Sequence, residues 1–169
     1  MENKMEFIDR LEKVIGSGIL NQGFPRISKN GATEAMIESE EKNLSRPLSE
    51  QHKALLRKWN GSNFDFIRVL GTHPVENDFL KELAKEYIEW KEIVDEVGDK
   101  AIYFANDITG FMYFELEDGT IVLLDTDGGG IRKKAEDMND FFLNFLFGER
   151  ADEYAGSEWL DELKEYGIV

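Results

Sequence analysis

Closely spaced carboxylates are the main source of chemistry in this 169-residue chain. From Asp125 the sequence reads DTDGGG, and Glu136 stands twelfth counted from Asp125. This spacing resembles the start and the end of a calcium-binding loop. However, the fifth position, Gly129, has no polar side chain, and Lys133 and Lys134 compete for the carboxylates. We therefore expect no metal site, and we interpret these residues as a glycine-rich loop that leads from a strand to a helix.

Glu115, Glu117 and Asp118 could supply paired carboxylates for acid and base catalysis. Strand alternation places Glu115 and Glu117 on one face, but acids at the end of a hairpin are usually solvated turn residues. The two histidines, His52 and His73, form no HExxH pair, and the sequence contains no nucleophile, phosphate-loop or dinucleotide motif. By elimination, we expect a binding protein that is not an enzyme and needs no cofactor.

The charge of the chain restricts the partners that it can bind. With 35 acidic and 20 basic residues, the formal net charge is −15. This field repels phosphate backbones and anionic lipids and attracts basic partners, although solubility alone would explain it equally well. The chain has no cysteine, no signal-peptide pattern and no apolar run long enough for a membrane helix. We expect a cytoplasmic protein that binds neither nucleic acid nor a membrane.

The elements that position these residues begin with a strand meander. Three apolar runs separated by Asp, Asn and Gly predict consecutive antiparallel strands at Ile102–Ala105, Phe111–Leu116 and Thr120–Leu124. The dipeptide Asp118–Gly119 predicts the tight turn between the last two. Phe64–Leu70 alternates in the same manner and predicts a further strand.

Apolar residues at helical spacing predict the remaining elements. We expect Trp59 and Phe142, each on the apolar side of a helix, to be buried in one core. The residues between 21 and 31 are turn-rich and fit either a flexible arm or an ordered loop, and the helix over 77–97 either covers the sheet or forms a dimer. The predicted helices cover residues 7–15, 33–44 with Thr33 as N-cap, 49–59 with Ser49 as N-cap, 77–97, a segment from Asp137 or Asn139 to Phe147, and 151–166.

Three of these segments together resemble the SUKH superfamily. Ile37–Gly61 is similar to its helical front, which ends in Asn-Gly, and Met138–Leu146 is similar to its closing helix. Ile102–Asp127 is similar to its meander. The chain departs from the family at Gly110–Phe111, where Gly-Asp is frequent, and at Ser45-Arg46-Pro47, where the break is usually tighter. The residues that match the family motif, with an expected structural role, are Trp59, Asn60, Gly61, Gly110 and Gly119.

The resemblance implies an α+β fold with a mostly antiparallel sheet flanked by helices. It also implies a single domain over 1–169, made of an N-terminal helix and loop (1–31), a core (32–148) with a helical elaboration (75–98) and an acidic C-terminal helix (149–169). Bacterial members of the superfamily are widely immunity proteins that bind and neutralise polymorphic toxins, often nucleases, and fungal relatives regulate cell-wall synthesis.

These features lead to one functional hypothesis and one alternative. We expect a monomeric, non-catalytic protein that neutralises a basic toxin domain such as a nuclease, because its acidic field complements such a partner. The alternative is a regulatory or scaffold module in cell-envelope physiology. The acids expected to contact the partner are Asp107, Glu115, Glu117, Asp118, Asp125 and Asp127.

Overall fold

A computed structural model describes residues 3–22, 26–76 and 80–169, which form an α+β fold around one antiparallel sheet. This confirms the predicted fold class. Each strand pairs with the strands directly before and after it in the chain. Gly110 and Gly119 have φ angles of +88° and +94° in two of the tight connections, a conformation that favours glycine. The strands are β1 (Arg26–Ile27), β2 (Ser62–Asn63), β3 (Ile67–Val69), β4 (Ile102–Asp107), β5 (Met112–Glu115), β6 (Ile121–Asp125) and β7 (Gly130–Ala135).

Helices flank the sheet, and their first residues follow capping rules. Thr33, Ser49 and Asp137 each accept a hydrogen bond from the backbone N–H three residues further along the chain. Each therefore satisfies one free donor at a helix start, as the sequence predicts. The helices are α1 (Glu6–Ser17), α2 (Glu34–Glu41), α3 (Glu50–Lys58), α4 (Leu83–Glu89), α5 (Lys91–Val97), α6 (Met138–Asp140), α7 (Ala151–Ala155) and α8 (Ser157–Glu165), with a 3-10 turn at Ile19–Gln22 and a π-helix at Phe141–Leu146 that continues α6.

One face of the sheet, which we call the inner face, packs on α3 and the π-helix. The ring of Phe104 in β4 lies 6.0 Å from the ring of His52 and 5.6 Å from that of Phe141, and both contacts are edge-on. Trp59 and Phe142 are both buried in this core. The prediction that they share a core is therefore confirmed.

The N-terminal helix α1 completes the inner core from a distant part of the chain. Phe7 stacks on Phe142 with 5.6 Å between ring centroids, and the backbone N–H of Phe7 donates to Asn139 Oδ1 at 2.9 Å. Arg10 donates from Nη1 to the carbonyl of Leu143 at 3.3 Å. Residues close to the two ends of the chain therefore pack together.

The segment between β3 and β4 lies against the opposite face of the sheet, the outer face. Leu83 and Val94 are buried, and α4 packs on β4. The apolar side of this segment therefore covers the sheet. The predicted single helix over 77–97 is wrong, because Trp90 has φ −107° and ψ 20° and separates α4 from α5. The start of that prediction, residues 77–79, lies outside the described residues.

The glycine-rich segment after Asp125 corrects a second prediction. It does not lead from a strand to a helix, because residues 130–135 form β7, which pairs with β6. The sequence signal was hidden because β7 lies at an edge of the sheet and carries Arg132, Lys133 and Lys134, the charged residues with which proteins protect exposed strand edges.

Local backbone geometry explains two further differences from the sequence expectation. The strand predicted at Phe64–Leu70 begins only at Ile67, because residues 64–66 form the turn between β2 and β3, in which Asp65 has φ +78°. The predicted C-terminal helix over 151–166 is two helices, since Gly156 has φ +88° and ends α7.

The described part of the turn-rich segment near residue 30 is an ordered loop. The N–H of Ser28 donates to the carbonyl of Gly61, and the carbonyl of Asn30 accepts from the N–H of Asn60. Within the described residues, no helix has the length and apolar character needed to cross a bilayer.

Candidate functional site

A single row of paired residues crosses the outer face of the sheet from one edge to the other. Because directly paired residues of antiparallel strands point to the same face, these side chains share the outer face. The row begins with polar and basic residues on β1 to β4 and ends with apolar residues on β5 to β7. It consists of Arg26, Asn63, Arg68, Asn106, Met112, Leu124 and Ile131.

The centre of this row forms the floor of a groove of about 500 Å³, which we call the outer groove. Arg68, Asn106 and Met112 line it from the sheet. Trp90 and Ile93 line it from the α4–α5 segment, so the break at Trp90 places an aromatic side chain at the rim. The side chains of Trp90 and Ile108 at the rim are 39% and 66% exposed.

The polar groups behind the floor are joined to one another. Asn106 Nδ2 donates to the hydroxyl of Tyr103 at 3.0 Å, and burial raises the pKa of Tyr103 to about 12. Glu86, which is buried, accepts a hydrogen bond from the indole Nε1 of Trp90 at 3.1 Å, and Lys81 Nζ lies 3.8 Å from its other oxygen. These contacts orient the Trp90 ring and engage the carboxylate of Glu86.

Arg68 differs from every other arginine in the described residues. Arg46, Arg57, Arg132 and Arg150 each form an ion pair, Arg10 donates to backbone carbonyls, and Arg26 has a partner of its own. For Arg68, the described residues offer no carboxylate oxygen within 4.0 Å and no hydrogen-bond acceptor. Arg68 as a residue is partly buried, and it lines the groove.

The acids proposed as contacts from the sequence do not lie together. Glu115, Glu117 and Asp118 stand where β5 meets β6, whereas Asp125 and Asp127 stand at the other end of β6. The groove opens at this second end, since Thr126 lines it. The structure therefore separates the candidate acids into two groups at opposite ends of the strand.

Glu115 belongs to the interior rather than to the surface. Its side chain is 1% exposed, Arg46 Nη2 lies 3.1 Å from Oε1, and Ser49 Oγ donates to Oε2 at 2.7 Å. Glu117, two residues later, is exposed and lies 3.3 Å from Lys100 Nζ. The two acids expected on one strand face are thus in different environments, because β5 ends at Glu115.

Asp107 is also withdrawn from solvent, and its carboxylate organises the β4–β5 turn. Oδ1 accepts hydrogen bonds from the backbone N–H groups of Thr109 and Phe111 at 2.9 Å and 3.1 Å, and Oδ2 accepts from the hydroxyl of Tyr113 at 3.2 Å. Tyr113 belongs to the inner face. The carboxylate of Asp107 is therefore committed to the turn that includes Gly110.

Asp118 and Asp125 act locally, while Asp127 is exposed. The backbone N–H of Thr120 donates to Asp118, and this hydrogen bond lowers the pKa of that carboxyl. Asp125 accepts from Arg132 Nη2 at 2.8 Å. Among the residues that the structure describes, no three acidic, histidine or cysteine side chains form a group that could hold a metal ion.

The residues matched to the family motif include one buried polar side chain, Asn60, at the end of α3. Asn60 is buried, donates from Nδ2 to the carbonyls of Thr72 and Pro74, and accepts at Oδ1 from the N–H of Thr72 at 2.7 Å. Gly61 follows with φ +90°. Trp59 is buried in the core. These residues join the end of α3 to the chain that follows β3.

The outer groove is not lined by the acids that dominate the sequence, apart from Asp107, and so it was not predicted. The alternation in FDFIRVL did contain a signal, since Ile67 and Val69 face the core and Arg68 must therefore face the other side. Nothing local indicated that α5 would place Trp90 beside it. The groove combines the aromatic ring of Trp90 and apolar side chains with two cations, Arg68 and Lys81, and such a mixture is typical of a binding surface.

Comparison with known proteins agrees with the geometry. The sequence model of the SMI1 / KNR4 family (SUKH-1) matches residues 31–144, which is more than half of the chain. The matched segment includes β2 to β7 and all the residues that line the outer groove. A search of curated proteins finds no match.

Proposed function

The chain belongs to the SMI1 / KNR4 family (SUKH-1), and we propose that it is a non-catalytic immunity protein that binds and neutralises a toxin domain. Family membership is the observation that carries this proposal, since it supports an immunity-type or Smi1-like protein. We further propose that the partner is a toxin domain with a basic surface, such as a nuclease. The protein would bind this partner as a monomer in the cytoplasm.

The charge of the protein supports a basic partner. A domain that cleaves nucleic acid must hold phosphates and is commonly basic, so a chain with a net charge of −15 has the complementary field. Complementary fields accelerate association and discriminate against acidic partners. A protein that inhibits a toxin by covering its active site needs no catalytic group of its own. This agrees with the observation that side chains of this protein are engaged in helix capping and ion pairs.

The test is protection of cells followed by binding in vitro. The toxin domain encoded beside this gene is expressed in a susceptible host with and without the protein, and viability is compared. We expect survival only when both are present, and a complex that elutes as one species from a sizing column at low salt. Death despite co-expression, with no complex at low salt, would contradict the proposal.

A second candidate is a regulatory module in cell-envelope physiology, because the matching family model carries the SMI1 / KNR4 description. Gene neighbourhood and deletion separate the two functions. An immunity protein is dispensable in a strain that lacks the toxin, whereas loss of an envelope regulator changes sensitivity to wall-active compounds in that same strain. A wall phenotype without any toxin would favour this second function.

A further inference from the structure

We propose that the outer groove receives a carboxylate side chain from the protein partner, and that Arg68 is the group that binds it. This inference rests on the proposed function, because it assigns the surface by which that function is performed. The occupant is a partner loop in which an Asp or Glu stands next to an apolar side chain.

The guanidinium of Arg68 forms no ion pair within the described residues. A guanidinium has five donors and no acceptor, and withdrawing a charge from water is costly unless it is paired. The chain has 35 acidic residues, yet no described carboxylate oxygen lies within 4.0 Å of Arg68, while the other described arginines are engaged. A planar guanidinium matches a carboxylate in a bidentate geometry, so a carboxylate is the ligand that best fits this position.

Apolar side chains line part of the outer groove. Trp90 and Ile93 form one side and Met112 lies on the floor, so apolar side chains line the groove together with Arg68 and with the polar residues Lys81, Asn106 and Asp107. Ile108 lies at the rim of the groove, Ile131 lies further along the same row on β7, and the two residues are 66% and 49% exposed. Aromatic and arginine side chains within an exposed apolar rim are typical of protein interfaces. A free small anion would leave that rim uncovered.

The electrostatic field of the whole molecule favours a carboxylate that is carried on a basic protein. At long range a net charge of −15 slows the approach of a free anion, while binding at short range depends on Arg68 itself. A carboxylate that is carried on a basic protein is attracted as part of that protein and then meets Arg68 at short range. The long-range field therefore selects a basic partner, and the outer groove selects an acidic side chain within it.

The protein alone allows a direct test with three capped peptides, acetyl-Leu-Glu-Leu-amide and the same peptide with Gln or Lys at the centre. Binding is followed by tryptophan fluorescence, since Trp90 is 39% exposed while Trp59 and Trp159 are each 9% exposed. We expect the Glu peptide to bind about tenfold more tightly than the Gln peptide, the factor that corresponds to about 1.4 kcal/mol. The Lys peptide should not bind.

Two variants assign the result to Arg68. Arg68→Gln should abolish the preference for the Glu peptide, while Arg57→Gln, which removes an arginine outside the groove, should leave it unchanged. Circular dichroism and thermal unfolding verify that both variants are folded. Equal affinity for the Glu and Gln peptides, no binding at tens of millimolar, or a preference that persists in Arg68→Gln would each overturn the inference. Inorganic phosphate that binds as tightly as the Glu peptide would also overturn it, in favour of a simple anion site.

The toxin complex provides a second, distinguishable test. With the toxin domain used above, Arg68→Gln should raise the dissociation constant about tenfold or more, chiefly through faster dissociation, and Arg57→Gln should not. A wild-type complex that is indifferent to Arg68→Gln would overturn this inference and leave the proposed function intact. If the wild type forms no complex, the proposed function fails, and the peptide titration still decides whether the groove binds a carboxylate.

Discussion

Glu115 shows how a single residue changes its role when the fold buries it. Burial raises the pKa of Glu115, while the hydrogen bonds from Ser49 and Arg46 act in the opposite direction. Arg46 also donates to the carbonyls of Lys100 and Leu116, so its guanidinium is surrounded by acceptors. The pair therefore connects the turn before α3 to the end of β5.

Removing one partner of this pair should be costly. We expect Glu115→Ala to lower the free energy of unfolding by about 3 to 5 kcal/mol, because it leaves the Arg46 charge buried without its carboxylate. Glu117→Ala is the matched control, and its exposed position predicts a change within about 0.5 kcal/mol. Urea titration measures both. Similar small losses for the two variants would contradict the structural role of Glu115.

His52 makes the stability of the protein depend on pH. It is fully buried, neither ring nitrogen has a hydrogen-bond partner among the described residues, and burial, aided by the positive charge of Arg46, lowers its pKa to about 3. An ordinary histidine has a pKa near 6.5. Between about pH 6.5 and pH 3, His52 is therefore protonated in the unfolded chain and neutral in the folded chain. This contribution is complete above pH 6.5 and is lost as the pH falls through that interval.

We expect His52→Leu to reduce this acid sensitivity. Between pH 7 and pH 5 the wild type should lose about 2 kcal/mol more stability than the variant, since each unit of pKa difference corresponds to about 1.4 kcal/mol. The measurement is the free energy of unfolding from urea titrations at both pH values. Parallel pH profiles for wild type and His52→Leu would exclude the burial of a neutral His52.

At the scale of elements, Trp59 follows the last residue of α3 and is buried in the same core as Phe104 of β4. We expect Trp59→Ala to lower the free energy of unfolding by about 3 to 5 kcal/mol, the usual range for deleting a large buried aromatic side chain. Trp90→Ala, at the partly exposed indole of the groove, should cost less. Denaturant titration compares the two, and a loss below about 1 kcal/mol for Trp59→Ala would place that ring at the surface.

The elements that the sequence predicted correctly are those whose local signals agree with their environment. β4 to β6 are apolar and bounded by turn residues, and Ser49 and Asp137 are strong N-caps, so pattern and packing point to the same answer. β7 was missed because its basic residues suit an exposed edge rather than a core. The prediction of a single helix over 77–97 was wrong because the apolar residues keep their helical spacing across the break at Trp90.

The outer groove could be predicted only in part, because it depends on long-range placement. Alternation in β3 assigns Arg68 to the face opposite Ile67 and Val69, and that much is local. Within the described residues Arg68 has no carboxylate oxygen within 4.0 Å, and this depends on how the whole fold directs the acids around it. Asp107 lines the groove, but its carboxylate accepts hydrogen bonds from Tyr113 and from the backbone of its own turn, and Glu86 is engaged by Trp90 and Lys81.

At the scale of the whole molecule, charge should govern the rate at which a partner arrives. We expect the association rate with the toxin domain to fall as salt rises, because the Debye length shrinks from about 10 Å at 0.1 M to about 3 Å at 1 M. Asp127→Lys, beside the groove, should slow association at low salt more than Glu117→Lys at the opposite end of β6. Stopped-flow measurements at both salt concentrations test this.

Equal slowing by the two variants would mean that the partner responds only to net charge and not to the groove end of the sheet. A rate that does not depend on salt would remove electrostatic steering from the mechanism. Neither variant alters a buried group, since Asp127 and Glu117 are both exposed.

The meander has a consequence for the order in which the protein can be made. Because every strand pairs with the strand before it, each one leaving the ribosome finds its neighbour already synthesised, and the sheet can grow without waiting for distant sequence. Helix α1 is the exception. Its Phe7 contacts Asn139 and Phe142, so the first helix to emerge is among the last to dock. Until then the apolar side of α1 is unprotected, and the nascent chain is most exposed to aggregation after its sheet is complete and before its core is closed.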